Sequence, residues 1–226
     1  MKYLVLLLSV FSAIFGWAQE SQTRDVKGFS GIRAMENVDV YIKKGDKEIV
    51  RVEATGVSAD NVLTEVSGGI LKVHMKDGNY RRGVTVKVYV TYTSIDKLSA
   101  NSAGSIFSEE TMRQKSLDIN VSSAGSVEVS VDIDHITANA SSGGDIELKG
   151  NAKAVDFEAS SGGQISGFDL QSVKATATAS SGGSVKVSVK DDFDARASSG
   201  GVVRYRGNPM KSSTNASSGG SVRKSD

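Results

Sequence analysis

The 226-residue sequence has no cysteine and a single proline, Pro209. Without cysteine there is no disulfide, no thiolate metal site and no lipidated cysteine behind a leader, so stability must come from burial and hydrogen bonding. One proline against 24 glycines excludes a proline-rich linker and suits a chain of many tight turns. The two histidines, His74 and His135, lie far apart with no second histidine at metal-ligand spacing, and read as surface or ladder residues. Charge of one sign is lacking too. Lys plus Arg number 27 and Asp plus Glu 26, a balance with no electrostatic footprint for nucleic acid or an anionic membrane.

Long apolar runs are absent except at the start. MKYLVLLLSVFSAIFGWAQE places Lys2 before a mostly apolar run from Tyr3 to Phe15, with the small residues Gly16 and Ala18 ahead of a cleavage point. This is the grammar of a secretory signal peptide, and the run is short of the roughly 20 residues a spanning helix needs. Residues 1–18 are therefore expected to be removed, taking the only tryptophan, Trp17, with them; the alternative is an uncleaved anchor. The expected location is outside the cytoplasm: periplasm, outer surface or extracellular.

What the sequence has in abundance is one repeated unit. ASSGG begins at Ala140, Ala159, Ala179, Ala197 and Ala216, and two looser copies precede it. The last glycines of the seven copies, Gly104, Gly125, Gly144, Gly163, Gly183, Gly201 and Gly220, are spaced 21, 19, 19, 20, 18 and 19 residues apart. A period of about 19 marks a solenoid. Each copy is led in by an alternating run and followed by a β-branched residue two positions after the glycine, the period-two pattern of strands buried on one face. The expected fold is all-β: a right-handed parallel β-helix in which each turn is strand, tight corner, strand and looser return. In that reading the final glycine needs either positive φ or close backbone approach, and the residue before it needs smallness more than positive φ. The serines Ser102, Ser123, Ser142, Ser161, Ser181, Ser199 and Ser218 would stack hydroxyls along the corner. The residues four before each final glycine, from Ala100 to Ala216, would form a narrow inner stack.

Residues 26–94 read as a β-hairpin-rich N-terminal cap, residues 19–25 as a linker and residues 95–226 as the repeats, with 26–226 one continuous domain. Val38–Ile42 and Ile49–Glu53 flank a turn around Gly45, Leu63–Val66 and Ile70–Met75 flank Ser67-Gly68-Gly69, and Ser58–Asn61 suits a single helical turn. "IRAMENVDV" from Ile32 aligns with "LSANSAGSI" from Leu98, which makes Ile32–Ile42 a degenerate first turn of the same stack.

The series "GFSGIRAMENVDVYIKKGDKEIVRVEA", "VSGGILKVHM", "VTVKVYVTY" and the SAGS and SSGG corners resembles the head GIN domain family over roughly Val26 to Val222. The resemblance implies an exported β-helix of the kind labelled autotransporter adhesins in the Bacteroidetes, and it brings no catalytic residues. No β-barrel translocator pattern follows the repeats.

The search for chemistry is correspondingly thin. Gly143-Gly144-Asp145 is not repeated as a carboxylate on every turn, as a calcium ladder requires. Ser221–Lys224 matches Ser-x-x-Lys in an unenclosed position, and no repeated serine has a base at the same repeat position. Neither a metal nor a cofactor is expected, and no enzyme. Tyr80, Arg81 and Arg82 in the loop "KDGNYRRG" are the best exposed contact residues. The leading expectation is an exported, non-enzymatic binding or adhesion module for a surface glycan or protein at the cell envelope. The rivals are a structural module that stacks through its C-terminal turn, with a monomer favoured by the charged edge, and a carbohydrate-active enzyme built on clustered outward Asp, Arg and Lys.

Overall fold

Seventeen strands and one short 3-10 turn make up the computed structural model, which describes residues 20–80 and 83–225. The expected leader, residues 1–18, and both Arg81 and Arg82 lie outside the described residues. About 66% of the described residues are strand, arranged as a β-solenoid of about seven turns some 19 residues apart.

The first half of the chain supplies β1 (Glu20–Arg24), β2 (Gly31–Ala34), β3 (Asp39–Lys44), β4 (Ile49–Thr55), β5 (Val62–Ser67), β6 (Ile70–Met75), β7 (Thr85–Tyr92), β8 (Lys97–Ala100) and β9 (Ser105–Ser108). The solenoid continues through β10 (Met112–Val121), β11 (Ser126–Ala140), β12 (Asp145–Ala159), β13 (Gln164–Ala179), β14 (Ser184–Ala197), β15 (Val202–Arg206), β16 (Lys211–Ala216) and β17 (Ser221–Lys224). Successive turns pair in parallel, so the sequence period becomes a spatial one. Ile106 faces Val127, Val127 faces Ile146, and the column runs on through Ile165, Val185 and Val203 to Val222. Its members from Ile106 to Val203 are at most 1% exposed. In the middle turns the return half is strand rather than loose, with β11 to β14 running unbroken from one corner to the next, while breaks remain between β9 and β10 and between β15 and β16. Two consecutive outward residues, Asp134-His135 in β11 and Lys153-Ala154 in β12, turn the inward phase at the bend.

The corner works differently from the expectation. The final glycines do not have positive φ; the two residues before them do, Ser161 at 48° and Gly162 at 75° being typical. Gly163 N donates to Ser160 O (2.8 Å), closing two left-handed residues with an i to i+3 hydrogen bond, the pattern of a type I′ turn. The residue ahead of the final glycine therefore needs its conformation, not smallness: a Cβ at Gly162 meets nothing within 4 Å, and Ala103 and Ala124 hold the same place at φ 62° and 59°. The final glycine answers to close approach alone. A Cβ on Gly163 would lie 2.3 Å from Ala140 O of the turn before, and every final glycine meets that same backbone within 2.8 Å. Stacking along the corner is by backbone: Ala124 N donates to Ser142 O and Gly162 N to Ser181 O, each at 3.2 Å. Among the described residues the corner serine hydroxyls make no hydrogen bond, so the expected hydroxyl ladder is absent.

The N-terminal strands extend both faces of the solenoid. Ile32 faces Leu98, Ala34 faces Ala100 and Val40 faces Ile106, which makes β2 and β3 the first turn. Beyond it lie β6 and then β5, an antiparallel hairpin through Gly68-Gly69. On the other face β7 lies beyond β3, followed by β4 and β1. One expectation fails here. The strands around Gly45 do not pair with each other, because β7 inserts between them. The linker expected over residues 19–25 is strand along Glu20–Arg24: β1 pairs there with β4, and the Arg24 guanidinium donates to the Ala59 and Val62 carbonyls. Ser58 caps the 3-10 turn Ala59–Asn61, its hydroxyl accepting from Asp60 N.

Gly163→Ala is expected to lower stability by about 2–3 kcal/mol, since its Cβ lands on backbone that cannot move without breaking a rung. Gly162→Ala should cost under about 1 kcal/mol, the strain of one left-handed alanine. Urea melts of the two variants check the order; the reverse order would mean that conformation, not contact, selects the final glycine.

Candidate functional site

The sequence-predicted residues sort into separate places. The corner tripeptides form a strip along one edge, with the serines and the residues after them exposed and the final glycines from Gly104 to Gly201 buried, Gly220 being half-buried. Tyr80 is not an exposed contact residue. It is half-buried against the core of the N-terminal cap, and its hydroxyl donates to the Lys76 carbonyl. His74 lies 3.8 Å from Glu36 and His135 lies 3.4 Å from Asp156, each in a single pair. No group of three possible metal ligands occurs among the described residues.

The principal concavity lies on the opposite side from the corners, at the bend, and sequence reasoning missed it. Its origin is an irregular rung. Between Gly167 and Gln171, β13 carries Phe168, Asp169 and Leu170, while β14 passes directly from Val187 to Ser188. One residue further on, β14 carries the extra residue, leaving β13 longer by two. That difference is the signal: it is why the step from Gly163 to Gly183 is 20 residues and the next only 18. The bulge is pinned from below. Ser188 Oγ donates to Phe168 O and Ser172 Oγ to Ser188 O, each at 2.7 Å. Both serines are 4% exposed, the two buried polar side chains of the core, and both are satisfied.

The bulge raises one wall of a groove of roughly 790 Å³ that crosses successive turns. A register column Asp132, Asn151, Gln171, Ser188 and Arg206 crosses it, beside a floor of Ile133, Ala152, Ser172 and Val189. On the rim Lys153 Nζ lies 2.6 Å from Asp134 Oδ1, and that hydrogen-bonded carboxylate holds the ammonium above the usual lysine range. Arg113 Nε lies 3.8 Å from Asp132. Asp169, Lys190 and Arg206 have no ion-pair partner among the described residues. The Arg206 guanidinium sits 4.2 Å over the Phe168 ring. The groove thus offers amides, charges of both signs and one aromatic ring above a floor whose two serine hydroxyls are already engaged.

A second feature also escaped the sequence reading. Tyr89, Tyr41 and Phe107 occupy one outward column of β7, β3 and β9, with neighbouring centroids 5.2 Å apart. Arg51 covers the free face of Tyr89 at 4.2 Å, and the turn beyond places Glu128 opposite Phe107. A sugar stacks on an open ring face, and here ring faces are turned to one another. This ladder is a clamp between cap and solenoid.

The family model described as "Putative auto-transporter adhesin, head GIN domain" matches residues 28–209. The chain belongs to the head GIN domain family. Solved structures share its fold. A "putative adhesin" from Bacteroides fragilis is 17% identical, covers 93% of this chain and 98% of its own, and superposes with a TM-score of 0.82. Two proteins of Parabacteroides distasonis, each 20% identical over 92% of this chain and 97% of their own, have TM-scores of 0.75 and 0.69. The first is described as a "putative adhesin" and the second as a "putative lipid binding protein". At these identities the likeness is one of fold. No curated protein matches the chain. The family's adhesin-like naming agrees with a non-enzymatic module, and among the described residues no helix is long and apolar enough to cross a membrane.

Ser188→Ala is expected to destabilise the protein by about 1–2 kcal/mol, because it leaves the Phe168 carbonyl without its buried donor. Amide hydrogen exchange should speed up across residues 167–171 and stay unchanged at the Gly104 and Gly125 corners. Unchanged exchange at the bulge would show that the serine does not hold it.

Proposed function

We propose that this protein is an exported, non-enzymatic binding or adhesion module that acts at the bacterial cell envelope. The observation that carries the reading is the groove at the bend: a pre-formed, pinned concavity crossing several turns of a solenoid that belongs to a family named for adhesion. A rigid floor supports binding because little ordering entropy is lost when a ligand settles on it. The leader-like Lys2–Ala18 segment supports export, with residues 1–18 removed.

Two measurements test the proposal. Expression in a bacterial host with the leader intact should yield a processed chain starting at Gln19 in the exported fraction, identified by mass spectrometry. An array of surface glycans and matrix proteins probed with the purified protein should show retention that falls at least several-fold when Phe168 and Gln171 are both changed to Ala. Retention indifferent to the groove, or a chain kept unprocessed in the cytoplasm, would overturn it.

One observation favours a second reading. Among the described residues β16 and β17 are paired on one side only, to β14 and β15, so the C-terminal turn has an open edge that a copy of the chain could extend. Inward positions occupied by Phe193, Ala195 and Ala197 become Ser212, Thr214 and Ala216 there, a change from apolar to mostly hydroxyl side chains that suits water. The expectation is therefore a monomer. Light scattering at high concentration, with wild type and Val222→Pro giving the same mass, checks it; a wild-type oligomer dissolved by the proline would establish stacking.

A further inference from the structure

The outward face beside the groove segregates charge along the solenoid axis. One register column reads Glu128, Glu147, Ser166, Lys186, Arg204 and Arg223 on consecutive turns. Its acidic half has a counter-ion of its own: Lys149 lies 2.9 Å from Glu128 and 2.8 Å from Glu147. The basic half has none at ion-pair distance among the described residues, although Asp145 on the same face is within electrostatic reach of Lys186. Like charges directly opposite one another destabilise a sheet, and here three stand on successive rungs about 4.8 Å apart. The strip then turns a corner. Arg206, two residues after Arg204 on the same outward side, lies over Phe168 at the lip of the groove. Arg204, Arg206 and Arg223 are all exposed. The fold thus holds a row of cations, Lys186, Arg204 and Arg223, with no ion pair among the described residues, and Arg206 leads from it into a concavity lined by amides and carboxylates.

We propose that Lys186, Arg204, Arg223 and Arg206 bind a linear acidic polysaccharide whose chain continues past Phe168 into the groove. The inference rests on the binding-module reading above and names its ligand class. Three features select this class. A polymer with isolated carboxylates can place them on successive rungs, where each guanidinium offers paired N–H donors. Its hydroxyls and ring oxygens match Asn151, Gln171 and Asn208 in the groove, and the Asp132 and Asp169 carboxylates accept from sugar hydroxyls. Duplex nucleic acid, with one phosphate charge per roughly 1.7 Å of axis, would be repelled by the groove's Asp132, Asp134 and Asp169 more strongly than a polymer with a single carboxylate per sugar.

Isothermal titration calorimetry with the purified full chain tests it, using polygalacturonate, neutral dextran and a random-sequence DNA duplex as probes. Polygalacturonate should bind, with affinity that falls as salt rises. The double variant Arg204→Gln, Arg223→Gln should bind on the order of tenfold more weakly, about 1.4 kcal/mol, while Lys174→Gln on the other face changes nothing. The double variant should melt no lower than wild type, because it relieves like-charge rungs, so loss of binding is not loss of fold. No binding of polygalacturonate, equal binding by the double variant, equal binding of dextran, or tighter binding of the duplex would each overturn the ligand class. Retention on the array with no polygalacturonate binding removes this ligand and leaves the binding module standing; absence of retention on every surface removes both.

Discussion

Every turn after the first depends on one contact, the backbone of a final corner glycine laid against the alanine or valine carbonyl of the turn before. At Gly163 a methyl group would come within 2.3 Å of Ala140 O. The first turn supplies the contrast. There Val38 holds the place equivalent to Gly104 and is wholly buried, with a side chain that no later corner tolerates. Before Val38 lie the cap strands β6 and β7 rather than another Ser-Gly corner. The glycine is a consequence of stacking, not of the turn itself.

Close corners bring the inner positions close as well. The stack from Ala100 to Ala197 is alanine except for Val121, and all six members are at most 3% exposed. Larger side chains, Phe157 and Phe193 among them, are held further from the corner, where the two faces diverge. Packing density close to that of a crystal requires this division between small and large along each strand. It also leaves the outward positions nearly free of structural demands, and there the sequence changes from turn to turn.

That freedom is where the proposed binding surface arises. Regular rungs place outward residues in columns, so gradual drift in composition becomes a gradient of surface charge from Glu128 to Arg223. One irregular rung, the Phe168–Leu170 bulge, breaks the cylinder and makes a groove. The two serines under it show that the irregularity is stabilised in place rather than merely tolerated, since each satisfies a carbonyl that the broken ladder would leave unpaired.

The solenoid, its period, its inner columns and the first turn at Ile32–Ile42 were legible in the sequence, because each is a local pattern repeated until chance is excluded. The Gly68-Gly69 hairpin and the Ser58 turn were legible for the same reason: their partners are neighbours in the chain. Tertiary structure alone decided the rest. Insertion of β7 between β3 and β4 pairs Asp39 with Lys87 and Ile49 with Thr91, far apart in the chain, which no local signal announces, and it converts an apparent hairpin at Gly45 into a connection. Pairing of Glu20–Arg24 with β4 turned an apparent linker into a strand. Burial of Tyr80 followed from packing against the cap. At the corner the motif was plain but the division of labour within it was not, because φ and inter-turn distance leave the same mark on a glycine. The groove stood in the sequence only as two unequal steps, 20 and then 18 residues, between steps of 19 on either side. A count can register that a rung is irregular. Only the stacked backbone determines which face the extra residues rise from and which side chains they bring together.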